Sequence, residues 1–262
     1  MTLKNRILNL LKLFFSIFNY EIEIKKNNFT FMGIYKSYKE AFLASNNLDK
    51  YVNKDYQTKK GLENLETIEI SGKFHIFTVF CALILNDKQN EKDYEFLEVG
   101  GGDNPIFLHI LKSTNKKIRC QVLEEKNFKI EISNENKNYI SYHNKIENIN
   151  FQNLSSVIFS GSIQYMENYM DILDKVFEKN IEYIFIVETF FTNKNESIFT
   201  LQSNMMNTQF PNIFFSLNEL NSIFEKNSYK QIYITKRKVN QYSHDELNGQ
   251  DYFVRDLIYK LI

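Results

Sequence analysis

Apolar and polar positions along the chain alternate with two periods. Runs rich in β-branched and aromatic residues at 96–99, Ile118–Leu123, 139–143, 155–160, 181–187, 229–235 and 252–258 predict strands. Between several of these the spacing lengthens to that of helices: residues 105–113, with Ile106, Phe107, Ile110 and Leu111 on one face, then residues 169–179 and 215–226. Strands alternating with helices predict an open, mostly parallel sheet covered by helices on both faces. The runs 229–235 and 252–258 read as two closing strands separated by a polar stretch; if the first is parallel and the second returns antiparallel, the loop between them emerges at the carboxyl ends of the strands. Upstream, residues 3–18 place Leu3, Ile7, Leu10, Leu11, Phe14 and Phe18 on one helical face and Lys4, Asn5 and Lys12 opposite, an amphipathic helix. Residues 29–51 begin with an apolar, aromatic patch and continue as a polar helix, for which Ser37 and Glu40 have capping-box spacing. Residues 68–85 are apolar on nearly every face from Phe74 onward, as in a helix buried between layers. The expected organisation is a helical extension or lid over residues 1–90 and an α/β domain over residues 91–262.

Composition narrows the function classes. With 262 residues, 43% of them hydrophobic, the chain can bury the core of one large domain. Lys plus Arg and Asp plus Glu each total 32, so no net field draws the protein to nucleic acid. Cys81 and Cys120 lie in apolar stretches without metal-ligand spacing, which predicts buried thiols in a reducing cytoplasm. Lys12 interrupts the apolar face of 3–18, no small-residue cleavage site follows, and the run is too short to cross a bilayer. Two readings of that helix stay open: packing on the domain or a partner subunit, or peripheral contact with the inner membrane face.

The chemistry concentrates where the strand at 96–99 meets Gly100, Gly101 and Gly102, with Glu98 two positions before the first glycine. Asn104 and Pro105 then offer an N-cap and a pre-set first helical residue. A second carboxylate pair, Glu124 and Glu125, closes the strand Ile118–Leu123 at the offset where an acid accepts ribose hydroxyls; a merely solvated strand end is the alternative. No Lys-Ser/Thr follows the last glycine, which excludes a P-loop. Pro105 occupies the helix-packing position of a dinucleotide fingerprint, which counts against a nicotinamide cofactor. An acidic residue, one intervening residue and spaced glycines, with a carboxylate after the next strand, form instead the pattern of class I S-adenosylmethionine-dependent methyltransferases.

Further blocks carry a closer likeness: residues 31–41, the turn at 97–102, Ser160 to Met166 (Ser-Gly-Ser-Ile-Gln-Tyr-Met), and residues 209–216. In this order they resemble the methyltransferase family found beside bacterial lipopolysaccharide and capsule genes. Asn104 stands where that family has a further glycine, and Glu188 where it has an arginine. The resemblance implies a Rossmann-like fold with a mostly parallel seven-stranded sheet and S-adenosylmethionine as cofactor. Glu98, Gly100, Gly101 and Gly102 would hold its methionine moiety, Glu124 and Glu125 its ribose, and His143 and Asn144 its adenine. Ser160 and Gly161 would lie beneath the methyl group.

The acceptor implied is a small molecule or surface-glycan precursor, methylated on a sugar oxygen or on a phosphate or phosphoramidate decoration. A non-catalytic, membrane-associated scaffold that retains the cofactor is the alternative. Because ligands lie beyond the carboxyl ends of parallel strands, the stretches 188–211 and 237–250 are expected to form the lid and acceptor walls. A general base for a hydroxyl acceptor is sought among His75, His244, Glu188 and Tyr165, and the sequence does not choose between them. His109 is expected on an outer helix face. No His, Asp and Glu set has metal-ligand spacing, so a metal-independent reaction is expected.

Overall fold

The computed structural model describes residues 29–46, 94–101, 118–124, 139–203, 208–235, 242–248 and 251–262. The helices expected over 3–18, 68–85 and 105–113 lie outside these residues, as do His75, Gly102 and Glu125. The chain forms β1 (Phe29–Tyr35), α1 (Tyr38–Ala44), β2 (Tyr94–Val99), β3 (Ile118–Leu123), β4 (Ile140–His143), β5 (Leu154–Ser160), α2 (Tyr169–Glu178) and β6 (Tyr183–Thr192). It continues with β7 (Ile198–Ser203), β8 (Gln209–Ser216), α3 (Leu217–Lys226), β9 (Tyr229–Ile234), β10 (Tyr242–His244) and β11 (Tyr252–Leu261).

Strand pairing gives a long sheet in the order β4-β3-β2-β5-β6-β11-β9. All members run parallel except β11, which enters antiparallel between β6 and β9. This is a Rossmann-like sheet whose last strand reverses. Near its carboxyl edge a wing is attached in the order β10-β1-β7-β8, joined where Phe191 and Thr192 of β6 pair with Phe215 and Ser216 of β8. Among the described residues eleven strands are joined, seven in the long sheet and four in the wing. Residues 29–35, expected only as an apolar patch before a helix, are strand β1, antiparallel to β7 and parallel to β10. The stretch 188–211, expected as lid, is largely sheet: the end of β6, β7 and the start of β8.

The long sheet holds together because its central strands are apolar on both faces. Phe96, Leu97 and Val99 of β2, Val157, Ile158 and Phe159 of β5, and Ile184, Phe185, Ile186 and Val187 of β6 are all buried, the pattern of a parallel sheet covered on each side. Helix α2 contributes Ile172, Leu173, Val176 and Phe177 from one face to the same core. Each such side chain contributes roughly 1.5–3 kcal/mol by leaving water. Two caps fix helix entries. Ser37 Oγ accepts the main-chain N–H of Glu40 at 3.2 Å, and the Glu40 carboxylate accepts that of Lys36 at 2.8 Å. At α3, Ser216 Oγ accepts from Glu219 N, while the Glu219 carboxylate reaches back to the amide and hydroxyl of Ser197 and pins the start of β7.

Candidate active site at the strand ends

Three main-chain hydrogen bonds align the carboxyl ends of the parallel strands. Gly100 N–H donates to Leu123 O at 2.8 Å, Glu124 N–H to His143 O at 2.9 Å, and Gly161 N–H to Val187 O at 2.8 Å. They bring Glu98, Gly100, Gly101, Glu124, His143, Asn144, Ser160 and Gly161 onto one rim, although these residues span more than sixty positions of sequence. Gly100 is required by the protein itself: it has φ +72°, and a Cβ there would stand 2.6 Å from Ser162 Cβ. Ser162 also donates its hydroxyl to Val99 O, so the turn after β5 is clamped against the turn after β2.

Beneath this clamp Glu98 is 1% exposed. Its Cδ lies 3.1 Å from where a Gly101 Cβ would be, so the carboxylate underlies the glycine turn. The neighbouring Cys120 thiol is pushed well above its ordinary range, by burial first and by the charge of Glu98 second, which leaves it unreactive. Above Gly161 the space is open: at φ +63° a Cβ there would meet nothing closer than the Glu188 side chain, with Cβ at 3.9 Å and Oε2 at 4.0 Å. The rim thus combines close backbone approach with two carboxylates, Glu98 below the turn and Glu124 at the end of β3. These are hydrogen-bond acceptors suited to an ammonium and a ribose diol, so the residues fit S-adenosylmethionine.

Glu188 sits in an unusual backbone. Its φ is +50°, a left-handed conformation that costs a non-glycine residue on the order of 1 kcal/mol or more. The cause is a bulge: Arg255 pairs with Thr189 and Leu257 with Ile186, so Val187 and Glu188 together face Asp256 of β11. Asp256, 1% exposed, accepts the Glu188 amide on Oδ1 at 2.9 Å and the Thr235 hydroxyl on Oδ2 at 3.1 Å. From the other side Gln164 Nε2 donates to Glu188 O at 3.3 Å. The bulge is therefore held from both flanks. Asp256 carried no role in the sequence reading, yet its signal was present: a lone acid within an apolar strand beside Val254, Leu257 and Ile258.

Tyr165 lies on the same turn. Its hydroxyl donates to Gln202 Oε1 at 2.8 Å, its carbonyl accepts the Tyr38 hydroxyl at 2.6 Å, and its ring meets Phe210 edge-on at 5.2 Å. Gln202 Oε1 also accepts Asn212 Nδ2 at 3.0 Å. One polar chain thus runs from the turn into the wing.

His244 belongs to a different neighbourhood. Nδ1 accepts the main-chain N–H groups of Glu246 (3.0 Å) and Leu247 (3.2 Å). Nε2 is 3.1 Å from Thr200 Oγ1, whose proton goes to Met32 O. Both nitrogens are engaged: these contacts suit a neutral ring with its proton on Nε2, while Asp245 Oδ1 lies 3.2 Å from Nδ1. It stacks on Phe31 and meets Phe214 edge-on. Burial lowers its pKa and outweighs the opposing charges of Asp245 and Glu246. Of the four bases considered from sequence, the structure places Glu188 and Tyr165 beside the rim, seals His244 into the wing, and His75 lies outside the described residues.

No family model matches the chain, and no curated protein matches it. Among solved structures it is similar to the 1,6-didemethyltoxoflavin-N1-methyltransferase of Burkholderia thailandensis bound to 1,6-didemethyltoxoflavin and S-adenosylhomocysteine. The identity is 9%, over 82% of this chain and 89% of that one, with a TM-score of 0.49. An S-adenosylmethionine-dependent methyltransferase of Methanosarcina mazei aligns at 13% identity over 69% and 97% of the two chains, TM-score 0.48. The N-terminal domain of EvdMO1, with S-adenosylhomocysteine and D-fucose, aligns at 8% identity over 80% and 98%, TM-score 0.49. Among the described residues no helix is long and apolar enough to cross a membrane.

Proposed function

We propose that this protein is an S-adenosylmethionine-dependent methyltransferase acting on a small polar molecule or surface-glycan precursor at the cytoplasmic side of the cell. The observation that carries the reading is the rim itself: a glycine turn after β2, a carboxylate beneath it, and a second carboxylate after β3 at the carboxyl ends of parallel strands.

When bound, S-adenosylmethionine would supply an activated sulfonium methyl group to the acceptor. Glu124 would accept hydrogen bonds from its ribose hydroxyls, and the Gly100–Gly101 backbone would hold its methionine end, with Glu98 ordering that turn. Ser162, by clamping the two turns together, fixes the floor on which the acceptor is aligned, and alignment with exclusion of water is the main work left to the protein. Glu188, held over Gly161, takes the acceptor proton as the new bond forms.

Isothermal titration with S-adenosylhomocysteine tests the donor. Binding is expected in the wild type, and Glu124→Ala should weaken it by about 1.5–3 kcal/mol, tenfold or more, as for a hydrogen bond to a charged group. No heat of binding at millimolar concentration would sink the reading.

A further inference from the structure

Hydrogen bonds at the strand ends form one line across the long sheet, and it begins at a residue far from the glycine turn. Asp256 of β11 and Thr235, the residue after β9, exchange three of them. Asp256 N–H donates to Thr235 Oγ1 at 3.0 Å, Thr235 Oγ1 donates to Asp256 Oδ2 at 3.1 Å, and Thr235 N–H donates to Asp256 O at 2.9 Å. With its orientation fixed in this way, the carboxylate accepts the N–H of Glu188 on Oδ1 at 2.9 Å. Glu188 lies in the bulge, so a side chain takes the place of a ladder partner there.

The peptide group that gives this N–H also carries Val187 O, and Val187 O accepts the N–H of Gly161 at 2.8 Å. One rigid plane therefore joins Asp256 to the turn after β5. The next residue continues the line: Ser162 Oγ donates to Val99 O. Across the peptide that follows Val99, Gly100 N–H donates to Leu123 O at 2.8 Å, and beyond Leu123, Glu124 N–H donates to His143 O at 2.9 Å. Linked hydrogen bonds polarise one another, and a charged acceptor at the end of such a line is stronger than a neutral one. The seat at Ser162 is close: a Cβ on Gly100 would stand 2.6 Å from Ser162 Cβ, so a small shift of the turn after β5 is felt by the turn after β2.

Resting on the methyltransferase reading, we propose that Asp256 is a positioning residue of the cofactor site. It acts through the 187–188 peptide on Gly161 and Ser162, and so sets how the turn after β5 seats against the glycine turn. Cofactor affinity then depends on a carboxylate in β11, which β5 and β6 separate from β2.

The test is isothermal titration of S-adenosylhomocysteine into the full chain. The melting temperature and the Gly161 amide signal, read by selective 15N-glycine labelling, are followed in parallel. Asp256→Ala should weaken binding about tenfold, the scale of one lost hydrogen bond to a charged group, and move the Gly161 amide proton upfield as its bond to Val187 O loosens. Asp256→Asn keeps an oxygen for the Glu188 N–H and should return both readings toward wild type. Tyr259→Phe, on the same strand, loses a 2.6 Å hydrogen bond to Asn221 without touching the line; it should lower the melting temperature and leave both readings unchanged. If Asp256→Ala gives no folded protein, Thr235→Val, which leaves the carboxylate but releases its Oδ2, should show the same two changes at smaller size.

Wild-type affinity with an unmoved Gly161 signal in Asp256→Ala, or in Thr235→Val where the alanine variant does not fold, would overturn the proposal. So would Asp256→Asn binding no better than Asp256→Ala, or Tyr259→Phe weakening binding as much. Each of these leaves the methyl-donor reading standing, because the wild type still binds. Absence of S-adenosylhomocysteine binding by the wild type removes that reading and the proposal with it.

Discussion

In β2, β5 and β6 the buried positions are filled chiefly by Val, Ile, Leu and Phe, whereas in β7 and β8 they include Thr200, Gln202 and Asn212. The long sheet spends its interior on apolar contact and needs little side-chain hydrogen bonding. The wing buries polar groups and must match them one by one, through Thr200 to Met32 and His244, and through Gln202 to Tyr165 and Asn212. Apolar burial is non-directional and tolerates substitution of similar volume, while a buried amide network depends on each partner. The two kinds of interior meet at the turn of Ser160 to Met166.

The comparison breaks most sharply at that meeting point. Gly100→Val should leave little folded protein, because a left-handed φ and a Cβ at 2.6 Å from Ser162 Cβ combine strain and overpacking of roughly 1–3 kcal/mol each. Thermal denaturation of any soluble fraction checks it, and a wild-type melting temperature would show that the clamp is dispensable. Next, Glu188→Gly should abolish or greatly reduce methyl transfer, a loss on the order of 10²–10⁴ if the carboxylate is the base. The same variant should melt at or above the wild-type temperature, since glycine relieves the +50° φ. Activity and stability moving in opposite directions would mark the bulge as a functional strain; a fall in both would assign Glu188 to the fold.

A smaller effect separates the two regions by pH. The buried neutral His244 has its pKa lowered by desolvation, so below the ordinary histidine value of about 6.5 the unfolded chain binds a proton that the folded chain refuses. Stability is therefore complete above about pH 6.5 and declines as pH falls below it. His143 at the strand-end rim shifts in the same direction, again by desolvation, opposed by Glu95. Urea midpoints between pH 7.5 and 5.5 should fall in the wild type. The decline should flatten more in His244→Gln than in His143→Gln, because only His244 has its side chain fully buried. The smallest change lies outside both interiors. Lys175 and Glu178 pair at 2.9 Å on the exposed face of α2, and Lys175→Ala should leave the melting temperature unchanged, as is usual for a solvated pair.

Legibility followed the same division. The strands read at 118–123, 155–160 and 252–258 and the helices α2 and α3 were visible from periodicity, because one covered sheet with amphipathic helices writes its burial directly into the spacing. The wing was not. In β7 and β8 both faces are largely buried and polar residues fill part of the interior, so neither alternation nor an apolar run survives. Pro211 within Gln209–Ser216 also reads as a loop signal. It is tolerated because β8 pairs with β7 there and, among the described residues, meets β6 only at Phe215 and Ser216, so the other edge of the strand at Pro211 carries no ladder among them. His244 looked like a base because its type is chemically apt; only the tertiary structure shows its ring in the wing, against Thr200, Glu246 and Leu247.

By itself the sequence determined the alternation of strands and helices and the glycine turn with its two carboxylates, since these depend on neighbours within a few residues and on local backbone freedom. The tertiary structure alone decided that residues 29–35 pair with strands some 170 and 210 positions away, that Asp256 holds Glu188 in a bulge over Gly161, and that one peptide group ties Asp256 to the turn after β5. Strand register and buried hydrogen bonds between distant segments are set by which surfaces meet, and no local pattern of residues encodes that meeting.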